Sequence, residues 1–289
     1  LYTAPTDEAL TADILRMKKL GFNMLRKHAK IGPERFYYHC DQLGMLVWQD
    51  MVNGGSAYKH WFVTYLATLM NWNHISFSDD EKHAGLLSRL HPEGKDEFRR
   101  EITETIAFLY NHPSIVVWVP FNEGWGQFDA LAVCEQIRTL DSSRLVDHAS
   151  GWFDQKGGDI LSLHYYFLKL KFKPESKRAA ALTEFGGYSL SIPGHSCCKK
   201  VYGYKKFNST GALTYGYIDL IRQTILPAVK KGIGATVYTQ ISDIEEETNG
   251  IYTYDREICK IDPDTLRKWN RALKEAGECK TYADHPTDH

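Results

Sequence analysis

Two glutamates occupy similar positions in the sequence, each close behind an apolar run and followed by glycine and an aromatic residue. Glu123 lies in the segment VPFNEGW at 119–125, just after the apolar run at 115–119. Glu184 lies in LTEFGG at 182–187, after the run at 179–182. Short apolar runs with β-branched residues are typical of buried strands. Because the carboxyl ends of parallel barrel strands meet at one face, the two carboxylates are predicted to meet there.

Two carboxylates at one barrel mouth are the catalytic groups that a glycosidase needs. Retaining glycosidases hold the two groups about 5 Å apart, one as acid/base and one as nucleophile. The two pKa values must differ, so that one group keeps its proton while the other stays ionised. The structural alternative for each residue is a buried ion pair. Two glutamates with the same surroundings favour catalysis over that alternative.

Composition excludes several other classes of protein. The 289 residues carry a formal net charge of -1, which gives no support for a nucleic-acid or anionic-membrane partner. No apolar run approaches the roughly 20 residues that span a bilayer. The six cysteines lack C-x-x-C spacing, and no other metal-ligand spacing is present, so we predict no metal site. The 7 Trp and 17 Tyr suit a sugar site, although a large core also uses aromatics.

Helical and strand-like segments alternate along the chain. We predict helices at 7–20, from 33 to 44, at 93–110, 130–140 and 214–231, and a closing helix from 262. A long polar excursion occupies 50–92. Seven strands are predicted, at 22–26, 45–49, 115–119, 144–148, 159–164, 179–182 and 234–240. Repeated βα units require a parallel sheet. We therefore expect one domain over 1–289, an α/β (β/α)8 TIM barrel whose first strand lies upstream of this chain.

Five motifs give the chain a resemblance to a known family. They are GFNMLRKH at 21–28, CDQLGMLVWQD at 40–50, NHPS at 111–114, NEG at 122–124 and TEFG at 183–186. Together they resemble the catalytic barrel of glycoside hydrolase family 2, over nearly the whole chain. That family includes β-galactosidases, β-glucuronidases and β-mannosidases. Its members carry a jelly-roll domain and an immunoglobulin-like domain before the barrel, so the resemblance implies that this chain is a piece of a longer enzyme.

The resemblance implies roles for particular residues. Glu123 would be the acid/base and Glu184 the nucleophile. Asn122 would bind the hydroxyl next to the anomeric carbon, and Arg26 would keep Glu184 ionised. The remaining candidates follow strand ends and could bind substrate or only support the barrel mouth: they are His28, Asp50, Trp125, His164, Tyr165 and Gln240.

The expected function is a retaining exo-β-glycosidase acting on terminal β-linked sugars, with β-D-galactosides as the default substrate. The alternatives are a β-mannosidase or β-glucuronidase of the same family, or a carbohydrate-binding barrel that has lost activity. The Asn-x-Lys element of the glucuronidases is not found after the last strand, which lowers that alternative. The resemblance also allows a structural magnesium or sodium ion and a homo-oligomer. The compartment is left open between cytoplasm, which is favoured, and the periplasm or exterior.

Overall fold

The computed structural model describes residue 4 and residues 6–73, 75–166, 170–198 and 200–281. Within these residues there are nine strands: β1 Met24–Lys27, β2 Leu46–Asp50, β3 Ile115–Val119, β4 Leu145–Val146, β5 Ile160–Tyr165, β6 Ala179–Gly186, β7 Tyr188–Ser189, β8 Lys205–Lys206 and β9 Ile233–Thr239. The helices are α1 Asp7–Lys19, α2 Glu34–Leu43, α3 Ala67–Trp72, α4 Pro92–Leu109, α5 Ala130–Leu140, α6 Thr210–Leu220, α7 Leu226–Lys231 and α8 Pro263–Thr281.

Seven of the strands form the wall of an α/β barrel. They pair in parallel, in the orders β1-β2-β3-β4 and β5-β6-β9. The two sheets adjoin between β4 and β5, where the Asp159 backbone N–H donates to the Val146 carbonyl at 2.8 Å. In the described part of the chain β1 and β9 form no ladder with each other, and one cleft is lined by residues of both strands. The seven strands predicted from the sequence are therefore those of the barrel.

Local signals in the sequence set the first two helices. The Thr6 hydroxyl accepts from the Ala9 backbone N–H, which satisfies a donor at the start of α1. α2 begins at Glu34, one residue after Pro33, so Pro33 precedes the helix rather than opening it as predicted. That helix ends at Gly44, whose φ of 63° is the left-handed conformation that glycine adopts without steric cost.

β7 and β8 were not predicted, and three further elements differ clearly from the predictions. β6 continues to Gly186, four residues past its apolar run, and places Glu184 within the strand. The helix predicted from 214 begins at Thr210, because the Ser209 hydroxyl accepts from the Ala212 N–H. The 50–92 excursion contains a helical segment, π-helical over Trp61–Leu66 and continued by α3. This segment buries Phe62, Val63 and Ala67 against Trp152 and Phe153, a tertiary contact that local periodicity does not show.

Buried Asp141 ties β3 to the loop before β4. Its carboxylate accepts from Trp118 Nε1 at 2.9 Å and from Arg144 Nη1 at 2.6 Å. Burial acts to raise the pKa of Asp141, but the bonds from Ser143, Arg144 and Trp118 lower it to about 2. The stability from these bonds is therefore present above the unfolded-state pKa of about 3.9 and is lost as the pH falls towards 2.

Replacing Asp141 with alanine is expected to destabilise the fold by about 3 kcal/mol at pH 7, because a buried arginine loses its anion. Urea unfolding of both chains at pH 7 and near pH 2 measures this. The difference between the two chains should shrink at the lower pH. An equal difference at both pH values would contradict the proposed ionisation of Asp141.

Within the described residues, no helix combines the length and the apolar character that crossing a bilayer requires.

Candidate active site

Glu123 and Glu184 converge at the carboxyl end of the barrel strands. Glu123 follows β3 with a left-handed φ of 52°, and its N–H donates to the Ser150 carbonyl at 2.9 Å. Glu184 lies in β6 at a bulge, where the pairing with β5 shifts between Leu163 and His164. One oxygen of the Glu123 carboxylate lies within 4.8 Å of one oxygen of the Glu184 carboxylate. A non-glycine residue with positive φ is strained and is typical of functional sites.

His164 lies between the two glutamates. Its Nδ1 is 2.8 Å from Glu123 Oε1 and 3.6 Å from Glu184 Oε2. The side chain is fully buried, and its ring packs against Trp152 at 5.4 Å between centroids. Because ionised carboxylates only accept hydrogen bonds, Nδ1 must carry a proton to bond either glutamate in its ionised form.

Arg26, in β1, forms hydrogen bonds to several residues of the site. Its guanidinium donates to both oxygens of Asp50 at 2.9 Å, to Glu184 Oε1 at 3.1 Å and to Asn122 Oδ1 at 2.8 Å. Burial acts to lower the pKa of Arg26, but Asp50 and Glu184 raise it above its ordinary value. Arg26 is therefore a permanent cation beside Glu184, in the place expected from the sequence.

The pKa of Glu184 is lowered by its surroundings. Burial acts to raise it, and the neighbouring His164, Arg26 and His28 together outweigh that effect. The Tyr166 hydroxyl also donates to Glu184 Oε2. An ionised carboxylate with fixed donors on both oxygens is suited to attack an electrophilic carbon.

Asp50 is buried beside Arg26 and contacts His28, whose side chain is exposed at the cleft. The Asp50 side chain is 2% exposed and takes bonds from Arg26, from the Ala29 N–H and from His28 Nδ1 at 3.0 Å. The Asp50 carboxylate holds Arg26 and is shielded from a ligand. From the sequence we instead expected Asp50 as a candidate sugar contact. Partial desolvation acts to lower the pKa of His28, but the bond to Asp50 raises it above its ordinary value.

β5 alternates between the barrel interior and the outer core. His164 faces the glutamates, whereas Tyr165 packs with the main hydrophobic core. Tyr166, the next inward position, contacts Glu184 in the place we expected for Tyr165. Tyr204 stacks on Tyr166 with ring centroids 4.0 Å apart. The period of two along a strand identifies Tyr166 once His164 is placed inward, but no local signal identifies Tyr204.

Asn122, Trp125 and Gln240 line the same cleft as the two glutamates, a cavity of about 1380 Å³. Asn122 Oδ1 accepts from Arg26, so its amide nitrogen is left to donate elsewhere. The Trp125 ring lies 4.6 Å from that of Tyr58, on the cleft wall. Gln240 Nε2 donates to Glu247 Oε2 at 3.0 Å and to Asn249 Oδ1 at 2.7 Å.

Among the residues that the structure describes, two groups of side chains bring donor atoms close enough for a metal ion. The first is Glu123, His164 and Glu184, whose donor atoms already bond each other, Arg26 and Tyr166. A cation bound there would displace those bonds and lie against the Arg26 guanidinium, so the trio fits a hydrogen-bonded site better than a metal site. The second is an exposed loop cluster of His195, Asp255 and Glu257. The magnesium or sodium ion that the resemblance allows stays a prediction.

A parallel α/β barrel with two carboxylates meeting at the ends of its strands is the architecture of a barrel glycoside hydrolase. The chain belongs to family 2 of the glycosyl hydrolases, since the family's TIM barrel domain matches residues 4–225.

Three proteins similar to this chain bear three different enzyme names. The β-galactosidase of Leuconostoc mesenteroides subsp. mesenteroides is 25% identical over 96% of this chain and 25% of its own length. β-Mannosidase B of Thermothelomyces thermophilus is 32% identical over 32% of this chain and 7% of its own. The solved β-D-glucuronidase structure for Dictyoglomus thermophilum has a TM-score of 0.63 and 14% identity, over 92% of this chain and 48% of that one. This chain thus spans about a quarter of the curated β-galactosidase.

Proposed function

We propose that the protein is a retaining exo-β-glycosidase that acts on terminal, neutral β-linked sugars, with β-D-galactosides as the expected substrate. The separation of the two carboxylates carries this proposal. Oxygens of Glu123 and Glu184 come within 4.8 Å of each other. Carboxyl groups about 5–5.5 Å apart are typical of retention, whereas inversion needs about 6.5–9.5 Å to admit a water.

The chemistry proceeds in two displacements. The Glu184 carboxylate attacks the anomeric carbon while the bond to the leaving-group oxygen breaks, and Glu123 gives its proton to that oxygen. Glu123 then takes a proton from water, whose oxygen attacks the anomeric carbon and releases Glu184. The lowered pKa of Glu184 supports the first role, because this group must be ionised before it attacks.

Acidic residues in the cleft favour a neutral sugar over a uronic acid. Glu245, Glu246 and Glu247 line the same cavity as Glu184. The pKa of Glu247 is raised, chiefly by burial and also by the negative charge of Glu184. A sugar carboxylate would enter this negative field at a Coulombic cost. Galactose is preferred within the neutral sugars because a β-galactosidase matches nearly the whole chain.

The stereochemical course of hydrolysis tests the proposal. With the full natural chain and an aryl β-D-galactoside, the first product seen by proton NMR should be the β-anomer of the free sugar. The aryl β-D-glucuronide should react at least about tenfold more slowly in kcat/KM. Initial release of the α-anomer would contradict the double displacement, and faster hydrolysis of the glucuronide would contradict the neutral-sugar preference.

A further inference from the structure

Another buried carboxylate, Asp147, lies close to the catalytic pair and was not among the predicted site residues. Asp147 directly follows β4 and is fully buried. Its Oδ2 is 2.9 Å from the Ser162 hydroxyl, while its Oδ1 has no hydrogen-bond partner within the described chain. Burial raises the pKa of Asp147 to about 6, and Arg26 and the Ser162 hydroxyl oppose the shift. Above that pH the group is an anion that can only accept hydrogen bonds.

Three buried hydroxyls connect Asp147 to His164. They belong to Ser162 on β5, Thr183 on β6 and Ser150 after β4. The oxygens of Ser162 and Thr183 are 2.5 Å apart, and those of Thr183 and Ser150 are 3.1 Å apart. Ser150 Oγ then lies 3.1 Å from His164 Nε2. The path therefore crosses three neighbouring strands and ends on the imidazole that bonds Glu123.

The anion at one end fixes the direction of the bonds along the path. Each hydroxyl has one proton to donate. Ser162 must donate to Asp147, so its oxygen accepts from Thr183, its nearest hydroxyl neighbour. Thr183 in turn accepts from Ser150, so the Ser150 oxygen is left to accept from His164 Nε2. Each hydroxyl of the path thus donates towards Asp147, and the path holds a proton on Nε2 while Nδ1 faces Glu123 Oε1 at 2.8 Å.

We propose that Asp147 is a positioning residue that acts through Ser162, Thr183 and Ser150 to hold the His164 imidazole by its Nε2–H, with Nδ1 directed at Glu123. This inference rests on the proposed glycosidase function. An imidazole held in this way keeps Glu123 Oε1 in contact with Nδ1 and leaves the other Glu123 oxygen to exchange the proton with the leaving group. Without the path, the imidazole can turn or change its tautomer, and Glu123 is no longer held in place for proton transfer.

The dependence of activity on the leaving group tests the proposed role of Asp147. Phenyl glycosides need a proton from the acid, whereas 2,4-dinitrophenyl glycosides depart without one. Ser162→Ala and Asp147→Ala, made in the full natural chain, should each lower kcat/KM for the phenyl glycoside by about tenfold. The loss on the dinitrophenyl glycoside should stay below about twofold. Asp147→Asn should retain more activity on the phenyl substrate than Asp147→Ala, because its amide oxygen can still accept from Ser162.

A matched variant separates this role from general destabilisation. Asp79 is also a buried carboxylate, but it accepts from Gln127 and from the Ala130 N–H at the start of α5. Asp79→Ala should lower the melting temperature without changing the ratio of the two substrates. If Asp147→Ala fails to fold, Ser162→Ala decides the question, since it removes only one oxygen atom. Equal losses of kcat/KM on both substrates, or no loss on either, would contradict the proposed role of Asp147. If the unmutated protein hydrolyses neither glycoside, the proposed function itself fails, which is a distinct result.

Discussion

Replacing Glu184 with glutamine is expected to abolish glycoside hydrolysis, with kcat reduced by about 10⁴-fold or more. The amide keeps the shape of the side chain but removes the nucleophile, while the donors Arg26 and Tyr166 remain aimed at it. Steady-state kinetics on an aryl β-D-galactoside measures the loss. In the unmutated enzyme the acid limb of kcat/KM should lie below the ordinary glutamate pKa of about 4.3, because the pKa of Glu184 is lowered.

The same exchange at Glu104, an exposed residue of α4, provides the control. Glu104→Gln should leave kcat and KM unchanged. In the unmutated enzyme a 2-deoxy-2-fluoro glycoside should add one sugar mass to the peptide that contains Glu184. More than about 1% residual activity in Glu184→Gln, or labelling of another peptide, would assign the nucleophile elsewhere.

Replacing Glu123 with alanine is expected to have the second largest effect, and the effect should depend on the leaving group. General acid catalysis contributes about 10²–10⁴-fold, so kcat/KM for a phenyl glycoside should fall within that range. A dinitrophenyl glycoside needs no proton in the first step and should lose much less. Its glycosyl-enzyme then lacks a base to activate water. Added azide should enter the emptied position, restore turnover and yield a β-glycosyl azide.

Glu104→Ala is the matched control for this exchange. Its kcat/KM on both substrates should equal that of the unmutated protein, and added azide should not change it. An α-glycosyl azide would indicate direct displacement in place of a glycosyl-enzyme. A Glu123→Ala variant that loses equal activity on both substrates would remove the acid/base assignment. Both glutamate variants should melt close to the unmutated protein, since both side chains reach the cleft and are 20% and 13% exposed.

The strands and most helices of the barrel could be predicted because their signals are local. The run Ile115–Val119 is apolar enough to be recognised as a buried strand, and its predicted limits are those observed. The stripe of Leu10, Ile14 and Met17 marks the inner face of α1. The helical segment at 61–72 could not be predicted in the same way, because its inner face is defined by Trp152 and Phe153.

Residue roles beyond the glutamate pair depended on what lies next to them in space. Asp50 resembled a sugar ligand because it ends a strand, yet its oxygens are taken by Arg26, His28 and the Ala29 N–H. Tyr165 and Tyr166 are adjacent and identical in type. Only the inward orientation of His164 decides that Tyr166, and not Tyr165, contacts Glu184.

The sequence by itself determined the alternation of strands and helices, the family and the two glutamates at the barrel mouth. Each follows from residues close together in the chain: apolar runs, caps, and a short motif behind a strand. The tertiary structure alone decided the separation of the carboxylates, the placement of the imidazole of His164 between them and the path from Asp147. These features depend on the bulge in β6 and on the register between strands, which contacts across the barrel set and no local segment specifies.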